Sequence, residues 1–315
     1  MPSPVEPAPA RPRVAVLVGP TAVGKTAAAL ALADLLPLEI ISADSRYLYR
    51  GLNIGAAKPS PAELARVPHH LVDVTDPDQP WSLSQYQAAA AAALAGILSR
   101  GRLPLLVGGT GQYVRALVEG WRPPPSDPTG ATRAALERTL ADEGLPKLVA
   151  QLTALDPASA AVVDLRNPRR VLRALEVAQH TGQSFVAQRR REPPPYRFIW
   201  LGLTLPRPEL YARIDARVEA MLAAGLVDEV RALAARGYGW NLPAMSALGY
   251  REISAYLRGE VTLAAAVQAI QRATRQLVRR QANWFRATDP AIHWFPAAPA
   301  SAVAPALAAS LNAVA

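Results

Sequence analysis

The stretch 13-RVAVLVGPTAVGKTAAALALA-33 decides the fold. Its first six residues are almost continuously apolar, which reads as a short strand buried on both faces. The next eight, 19-GPTAVGKT-26, satisfy G-x-x-x-x-G-K-[ST] in full. Glycines let backbone amides converge on phosphate oxygens, and a helix starting there adds the positive end of its dipole. The phosphate cradle is therefore read as Gly19, Pro20, Thr21, Ala22, Val23, Gly24, Lys25 and Thr26. Lys25 supplies a point charge, and the Thr26 hydroxyl is the candidate ligand for Mg²⁺. The helix is expected to run from Lys25 to about Leu36 and to stop before Pro37.

Outward from that stretch, the runs 38-LEIIS-42, 103-LPLLV-107 and 198-FIWLGLTL-205 have the same strand character and are separated by helical patterns. Such alternation indicates a parallel sheet covered on both faces. A long helix is expected to begin at 82-SLSQ-85, where Ser and Gln have capping-box spacing. Its run 88-AAAAAALAGIL-98 is too short and too rich in alanine to span a membrane. Two clusters of turn formers, 122-RPPPSDPTG-130 and 191-REPPPYR-197, bracket a piece with only helical patterns. One of these, 167-NPRRVLRALEVAQHTG-182, carries Asn as N-cap, Pro at its first position and Gly182 as its stop. The reading is an α/β protein: a P-loop NTPase-like parallel sheet core with an inserted all-helical subdomain. Residues 1–12 form a disordered lead-in, 13–120 and 197–315 the core with C-terminal helices, and 121–196 the insertion.

The chain has 315 residues, with Lys+Arg 34 against Asp+Glu 25, a formal net charge of +9. A basic balance suits a polyanionic partner, nucleic acid or a phosphorylated ligand, as well as a merely basic surface. Cysteine is absent, which removes disulfides, thiolate metal sites and a Cys nucleophile. The stretch 1-MPSPVEPAPARP-12 lacks the apolar core of a signal peptide, so a cytoplasmic protein is expected. A monomer is the working expectation and rests on no residue signal.

A phosphate loop does not name its phosphate. Hydrolysis of a nucleoside triphosphate calls for an aspartate at the end of a second strand. Here 103-LPLLV-107 ends in 108-GGTGQY-113, which offers the hydroxyl of Thr110 and no carboxylate. The acid at a strand end near the loop is Asp44, in 40-IISADS-45. On these residues alone, Asp44 can also hold the acceptor hydroxyl of a small-molecule kinase.

Eight blocks, in order, resemble the tRNA dimethylallyltransferases, also called tRNA isopentenyltransferases. They are 19-GPTAVGKT-26, 41-ISADSRYLYRGLNIGAAKP-59, 68-PHHLVDVTDP-77, 106-LVGGTGQY-113, 168-PRRVLRALEV-177, 210-LYARIDARVEAMLAAGLVDEV-230, 248-LGYREISAYL-257 and 274-TRQLVRRQANWFR-286. The resemblance covers nearly the whole chain apart from its termini. It implies transfer of a dimethylallyl group from dimethylallyl diphosphate to the exocyclic amine of the adenosine just 3′ of a tRNA anticodon. It also implies Mg²⁺ and a helical insertion that closes on the anticodon stem-loop. The P-loop would then hold a prenyl diphosphate. Tyr47, Asn53 and Ala57 stand where the family often has Gln, Asp and Thr.

Under this reading Asp44 is the general base for the amine. Lys25, Thr26 with Mg²⁺, Thr110 and one or both of Arg213 and Arg217 stabilise the departing diphosphate. The two arginines are four apart, hence on one helical face, with Asp215 and Glu219 as alternative partners. In 272-RATRQLVRRQANWFR-286, residues Arg272, Arg275, Arg279 and Arg286 fall within about 60° on a helical wheel. That stripe suits a phosphate backbone, as does a patch of Arg169, Arg170 and Arg173. The tRNA-facing set carried by the resemblance is Asp44, Ser45, Arg46, Tyr47, Arg133, Arg169, Arg170, Arg173, Tyr250, Arg251, Arg279, Arg280, Gln281, Trp284 and Arg286. His69 and His70 are adjacent, with no third ligand spaced for a metal, and Trp81, Trp121 and Trp240 suit the core or base stacking. The other readings are the kinase and a tRNA-binding protein with a vestigial loop. Retention of Lys25, Thr26, Asp44 and Thr110 argues against the second.

Overall fold

The computed structural model describes residues 11–313. Residues 1–10 of the expected lead-in lie outside the described residues, and Pro12 already belongs to the sheet's margin, its carbonyl accepting from the Arg197 amide at 2.9 Å. Two compact units emerge, one formed by Met1–Val118 and Pro195–Ala315, the other by Glu119–Pro194.

The first unit opens with β1 (Arg13–Val18), α1 (Lys25–Ala33), β2 (Leu38–Ala43), α2 (Pro61–Arg66), β3 (His69–His70), α3 (Leu83–Ser99), β4 (Leu103–Gly108) and α4 (Gly111–Val118). In the second unit lie β5 (Trp121–Arg122), α5 (Ala131–Leu155), α6 (Pro157–Ala160), α7 (Pro168–Thr181) and β6 (Arg190–Arg191). The chain then completes the first unit with β7 (Arg197–Thr204), α8 (Arg207–Ala223), α9 (Leu226–Ala235), α10 (Tyr250–Leu257), α11 (Leu263–Trp284), β8 (Ile292–Pro296) and α12 (Ala300–Ala313).

Six strands pair in the order β3-β2-β4-β1-β7-β8, all parallel. The apolar run of β1 follows from this burial. Ala15 and Leu17 pack on the side of α1, α8 and α12, while Val14, Val16 and Val18 pack on the side of α3 and α4. α1 stops at Ala33, three residues short of the expected Leu36. The amides of Leu35 and Leu36 both bond the Leu32 carbonyl, closing the last turn, and Pro37 disfavours helical geometry at Leu36. The Ser82–Gln85 capping box forms at the start of α3. A third core, under α9 to α11, buries Leu52, Val230, Met245 and Tyr250. The edge strand β8 went unrecognised in the sequence because 292-IHWFP-296 is short, half-exposed and interrupted by a histidine.

The second unit is built on its own core of Leu136, Leu148, Leu152, Val171, Leu172 and Leu175. α5 is broken at Gly144 (φ 77°), and α7 begins at the Asn167 cap and ends at Gly182 in left-handed geometry. The all-helical expectation needs one correction. Trp121 and Arg122 pair antiparallel with Arg191 and Arg190, so a two-residue ribbon joins the unit's two ends. Paired backbone there satisfies groups that two separate proline-rich loops would leave to water.

Candidate active site

In an open parallel sheet, ligands collect beyond the carboxyl ends of the strands. The order β2-β4-β1 puts three loops side by side there: Asp44 after β2, Thr110 after β4 and the phosphate loop after β1.

The phosphate loop is formed by local backbone geometry. Gly24 takes φ 103° immediately before α1, a conformation that side chains rarely adopt. The Lys25 ammonium donates to the carbonyls of Gly19 (2.9 Å) and Pro20 (2.8 Å), which fixes it across the loop. Burial draws it down to about 8; the charge of Asp44 opposes that shift and the charge of Arg217 adds to it. Asp44 shifts upward, because burial outweighs the Arg46 amide and the Lys25 charge that favour its anion. The two charges act on each other, and burial moves Lys25 down and Asp44 up.

Asp44 is held by its own turn. Its Oδ1 accepts the Arg46 amide at 2.8 Å. Thr110 locks that turn to β4: its Oγ1 accepts the Ser45 amide (3.1 Å) and its amide donates to the Ala43 carbonyl (3.1 Å). Tyr47 points to the same place. Its hydroxyl donates to the Ala57 carbonyl at 2.6 Å and contacts Thr26. Burial, and then Asp44, push the phenol well above its ordinary range.

From α8, Arg217 faces this cluster, close enough to Lys25 and Tyr47 for direct charge interaction, and its own burial lowers it from the usual guanidinium range. Arg213 reaches the Val23 carbonyl through Nη1 at 3.4 Å. The face that packs beneath them contains Leu210, Ile214 and Val218. Asp215 serves neither; it pairs with Arg275 of α11 at 2.6 Å.

Two residues that the sequence reading did not single out shape the loop after Asp44. The Glu229 carboxylate of α9 accepts the consecutive amides of Asn53 (3.1 Å), Ile54 (2.8 Å) and Gly55 (3.2 Å), and the Tyr250 hydroxyl (2.6 Å). Lys58 donates to the Tyr49 carbonyl and pairs with Asp73, each at 2.5 Å, with a side chain only 3% exposed. Their signals were present in 227-VDEV-230 and 55-GAAKP-59, but an acid and a lysine are ordinary surface residues until a partner is known.

The family described as IPP transferase matches residues 47–288, and the one described as isopentenyl transferase matches residues 12–73. A protein of Roseiflexus sp. (strain RS-1) named tRNA dimethylallyltransferase is 55% identical over 86% of this chain and 88% of its own. One of Chloroflexus aurantiacus with the same name is 50% identical over 89% of this chain and 95% of its own. This chain belongs to the tRNA dimethylallyltransferase family. It is an enzyme, a transferase. The solved structure of a full-length tRNA isopentenylpyrophosphate transferase from Bacillus halodurans superposes with a TM-score of 0.69 at 37% identity, covering 96% of this chain and 97% of that one. A eukaryotic dimethylallyltransferase shares the fold at a TM-score of 0.77 and 23% identity, over 96% of this chain and 80% of that one.

Within the family frame, the residues expected at tRNA other than Asp44, Ser45 and Tyr47, already placed beside the phosphate loop, fall into three groups. Arg279, Arg280 and Arg286 are exposed and have no acidic partner among the described residues, and Arg169 and Arg170 are exposed on α7. A second group is committed to internal contacts. Arg133 pairs with Glu137 and lies near Glu176; Arg173 pairs with Glu176 and donates to Ser126 and the Pro124 carbonyl; Arg251 pairs with Glu252; Arg46 donates to the Pro243 carbonyl. Trp284, 37% exposed, packs its indole on Gly111.

The third group is corrected by the structure. Tyr250 is fully buried and bonded to Glu229, so it cannot face RNA. Gln281 is 6% exposed and turned toward the phosphate loop. Arg275, placed on the basic stripe by the helical wheel, is tied to Asp215 and sits over the Tyr211 ring at 5.3 Å.

Among the described residues, no three His, Cys, Asp or Glu side chains converge as a metal group. His70 instead bonds Glu39 at 2.7 Å. No helix among them is long and apolar enough to cross a membrane.

Proposed function

We infer that the protein transfers a dimethylallyl group from dimethylallyl diphosphate to the exocyclic N6 amine of the adenosine 3′-adjacent to the anticodon of a tRNA, releasing diphosphate. The observation that carries this reading is the juxtaposition of the phosphate loop with Asp44 and Thr110 at the carboxyl end of three adjacent strands, where the turn after β4 contains no carboxylate. An enzyme that hydrolyses a triphosphate needs a metal-holding acid there. A prenyl transferase needs a diphosphate cradle and a base instead.

Each residue then has a task. The loop amides, Lys25 and Arg217 bear the negative charge that grows as the carbon–oxygen bond of the donor breaks, and their desolvated setting strengthens that interaction. Arg213 supports them at the loop's outer side. The amine attacks the allylic carbon, and Asp44, kept basic enough by burial, takes the proton it sheds. Thr110 holds Asp44's turn in register with the donor. Mg²⁺ suits this donor set: it commonly keeps its waters and binds through substrate phosphates with few protein ligands, and Thr26 offers one at the first turn of α1. When bound, it would neutralise diphosphate charge. The exposed Arg279, Arg280 and Arg286, and separately Arg169 and Arg170, suit the phosphates of the anticodon stem-loop.

The test is to incubate the protein with unmodified tRNA, Mg²⁺ and dimethylallyl diphosphate labelled in the prenyl group, and to count label in the tRNA. Label should appear at an adenosine beside the anticodon. ATP turnover without tRNA and without prenyl transfer would sink the reading in favour of a kinase.

A further inference from the structure

Gln281 lies on the same helix as the exposed Arg279 and Arg280 yet faces inward. Its carboxamide uses both ends. Oε1 accepts the Thr21 amide at 2.8 Å, and Nε2 donates to the Gly109 carbonyl at 3.1 Å. The seat is cut for it. A Cβ on Gly109 would collide with Nε2, and one on Gly111 would collide with the Trp284 indole, one helical turn further along. Arg115 of α4 fastens the end of α11 at the same turn, donating to the Trp284 carbonyl (3.1 Å) and pairing with Asp289 (2.8 Å).

The two backbone groups it joins belong to peptide planes with further duties. A trans peptide points its N–H and its preceding C=O in opposite directions. The Thr21 N–H therefore shares a plane with the Pro20 carbonyl that receives Lys25 at 2.8 Å. The Gly109 carbonyl likewise shares a plane with the Thr110 N–H, which donates to the carbonyl of Ala43 beside Asp44. A continuous chain of hydrogen bonds and rigid planes thus runs from Lys25 through Gln281 to the residue before Asp44.

We propose that Gln281 is a positioning residue of the donor site, setting the separation between the phosphate cradle with Lys25 and the turn that carries Thr110 and Asp44. The proposal rests on the reading of the loop as a diphosphate site. An amide suits the place because it offers one acceptor and one donor in a fixed plane. Glutamine at this spot does not contact RNA; it fixes where the diphosphate lies relative to the base.

The experiment compares the full-length wild type with Gln281→Glu and Gln281→Met. It measures affinity for inorganic diphosphate, donor KM and kcat, tRNA affinity and melting temperature, each across pH. In the Gln281→Glu variant, the ionised carboxylate still accepts the Thr21 amide but turns a second acceptor on the Gly109 carbonyl and adds charge beside an anion. Diphosphate affinity should fall roughly tenfold or more near neutral pH, with tRNA affinity unchanged. As pH falls, the protonated carboxyl regains one donor and one acceptor, so the ratio of variant to wild-type affinity should return toward one. The charged groups on elements packed around the site are Lys25, Asp44, Arg115 and Asp289, with Arg213, Asp215 and Arg217 of α8 and Arg275 of α11; taking the ratio removes the part of their titration common to both proteins. Gln281→Met should lose affinity at every pH. Three results would overturn the proposal: unchanged diphosphate affinity in both folded variants, a defect confined to tRNA affinity, or a Gln281→Glu variant that does not recover on acidification. Wild-type protein that transfers no prenyl group, yet binds diphosphate with this dependence on residue 281, would defeat the reading of the reaction and leave this one standing.

Discussion

Two sets of arginines on neighbouring helices of one unit make an instructive pair. On α8, Arg217 is partly buried, close to Lys25 and Tyr47, and its charge is disfavoured by desolvation; Arg213 reaches the Val23 carbonyl. On and just after α11, Arg279, Arg280 and Arg286 stand in solvent without an acidic partner among the described residues. The guanidinium is the same in both places. What differs is the dielectric around it: a desolvated cation beside a phosphate loop interacts strongly with charge that develops there, whereas a solvated row gives many weak, salt-sensitive contacts. Arg275 shows how the line between the sets is drawn. It shares the wheel face of the exposed arginines, but Asp215 of α8 lies within 2.6 Å and takes it into the interface between the helices.

The sharpest way to break the contrast is Arg217→Gln. Removing a charge at the leaving group should lower single-turnover transfer roughly 10²- to 10³-fold while tRNA affinity moves less than about twofold. A parallel loss of tRNA affinity would place Arg217 with the solvated set. The converse double change, Arg279→Ala with Arg280→Ala, should weaken tRNA binding roughly tenfold and make its log–log salt dependence shallower by about one to two. Donor KM should stay put; if it rises instead, α11 acts on the donor through more than Gln281.

A smaller effect is expected from pH. Asp44 is raised, so it takes up a proton and stops serving as base as pH falls through a value above the ordinary carboxylate range; Lys25, lowered to about 8, loses its charge as pH rises through that value. Donor kcat/KM should therefore decline on both sides, about tenfold per pH unit beyond each limb. Lys25→Arg should remove the alkaline limb, and a limb that persists belongs to another group. Least of all should depend on the Arg275–Asp215 pair, which is about one-third exposed on each side. A double-mutant cycle to alanine, read by denaturant unfolding, should give a coupling of roughly 0.2 to 1 kcal/mol. A drop in tRNA affinity for Arg275→Ala alone would return it to the RNA-facing row.

The phosphate loop was legible in the sequence because its chemistry is local. Eight consecutive residues set the positive φ at Gly24 and the start of α1, although Gln281 and Arg213 add distant contacts to the loop that no local pattern announces. The strands of the sheet interior were legible for a similar reason: burial on two faces leaves an unbroken apolar run. Asp44 and Thr110 could be singled out as polar groups at strand ends, and the strand order then set their loops beside the phosphate loop.

The fates of Tyr250, Gln281 and Arg275 were not legible. Each lies in a helix where the sequence fixes the angle of the side chain but not the neighbour at that angle. Gln281 acquires its meaning from Thr21 and Gly109, 260 and 172 residues away. Glu229 acquires its own from three backbone amides about 175 residues earlier, groups that every sequence contains and that carry no residue signature. Local backbone geometry is written in adjacent residues. Which distant peptide plane a polar side chain will satisfy is decided only when packing brings the two together and excludes the water that would otherwise bond to both.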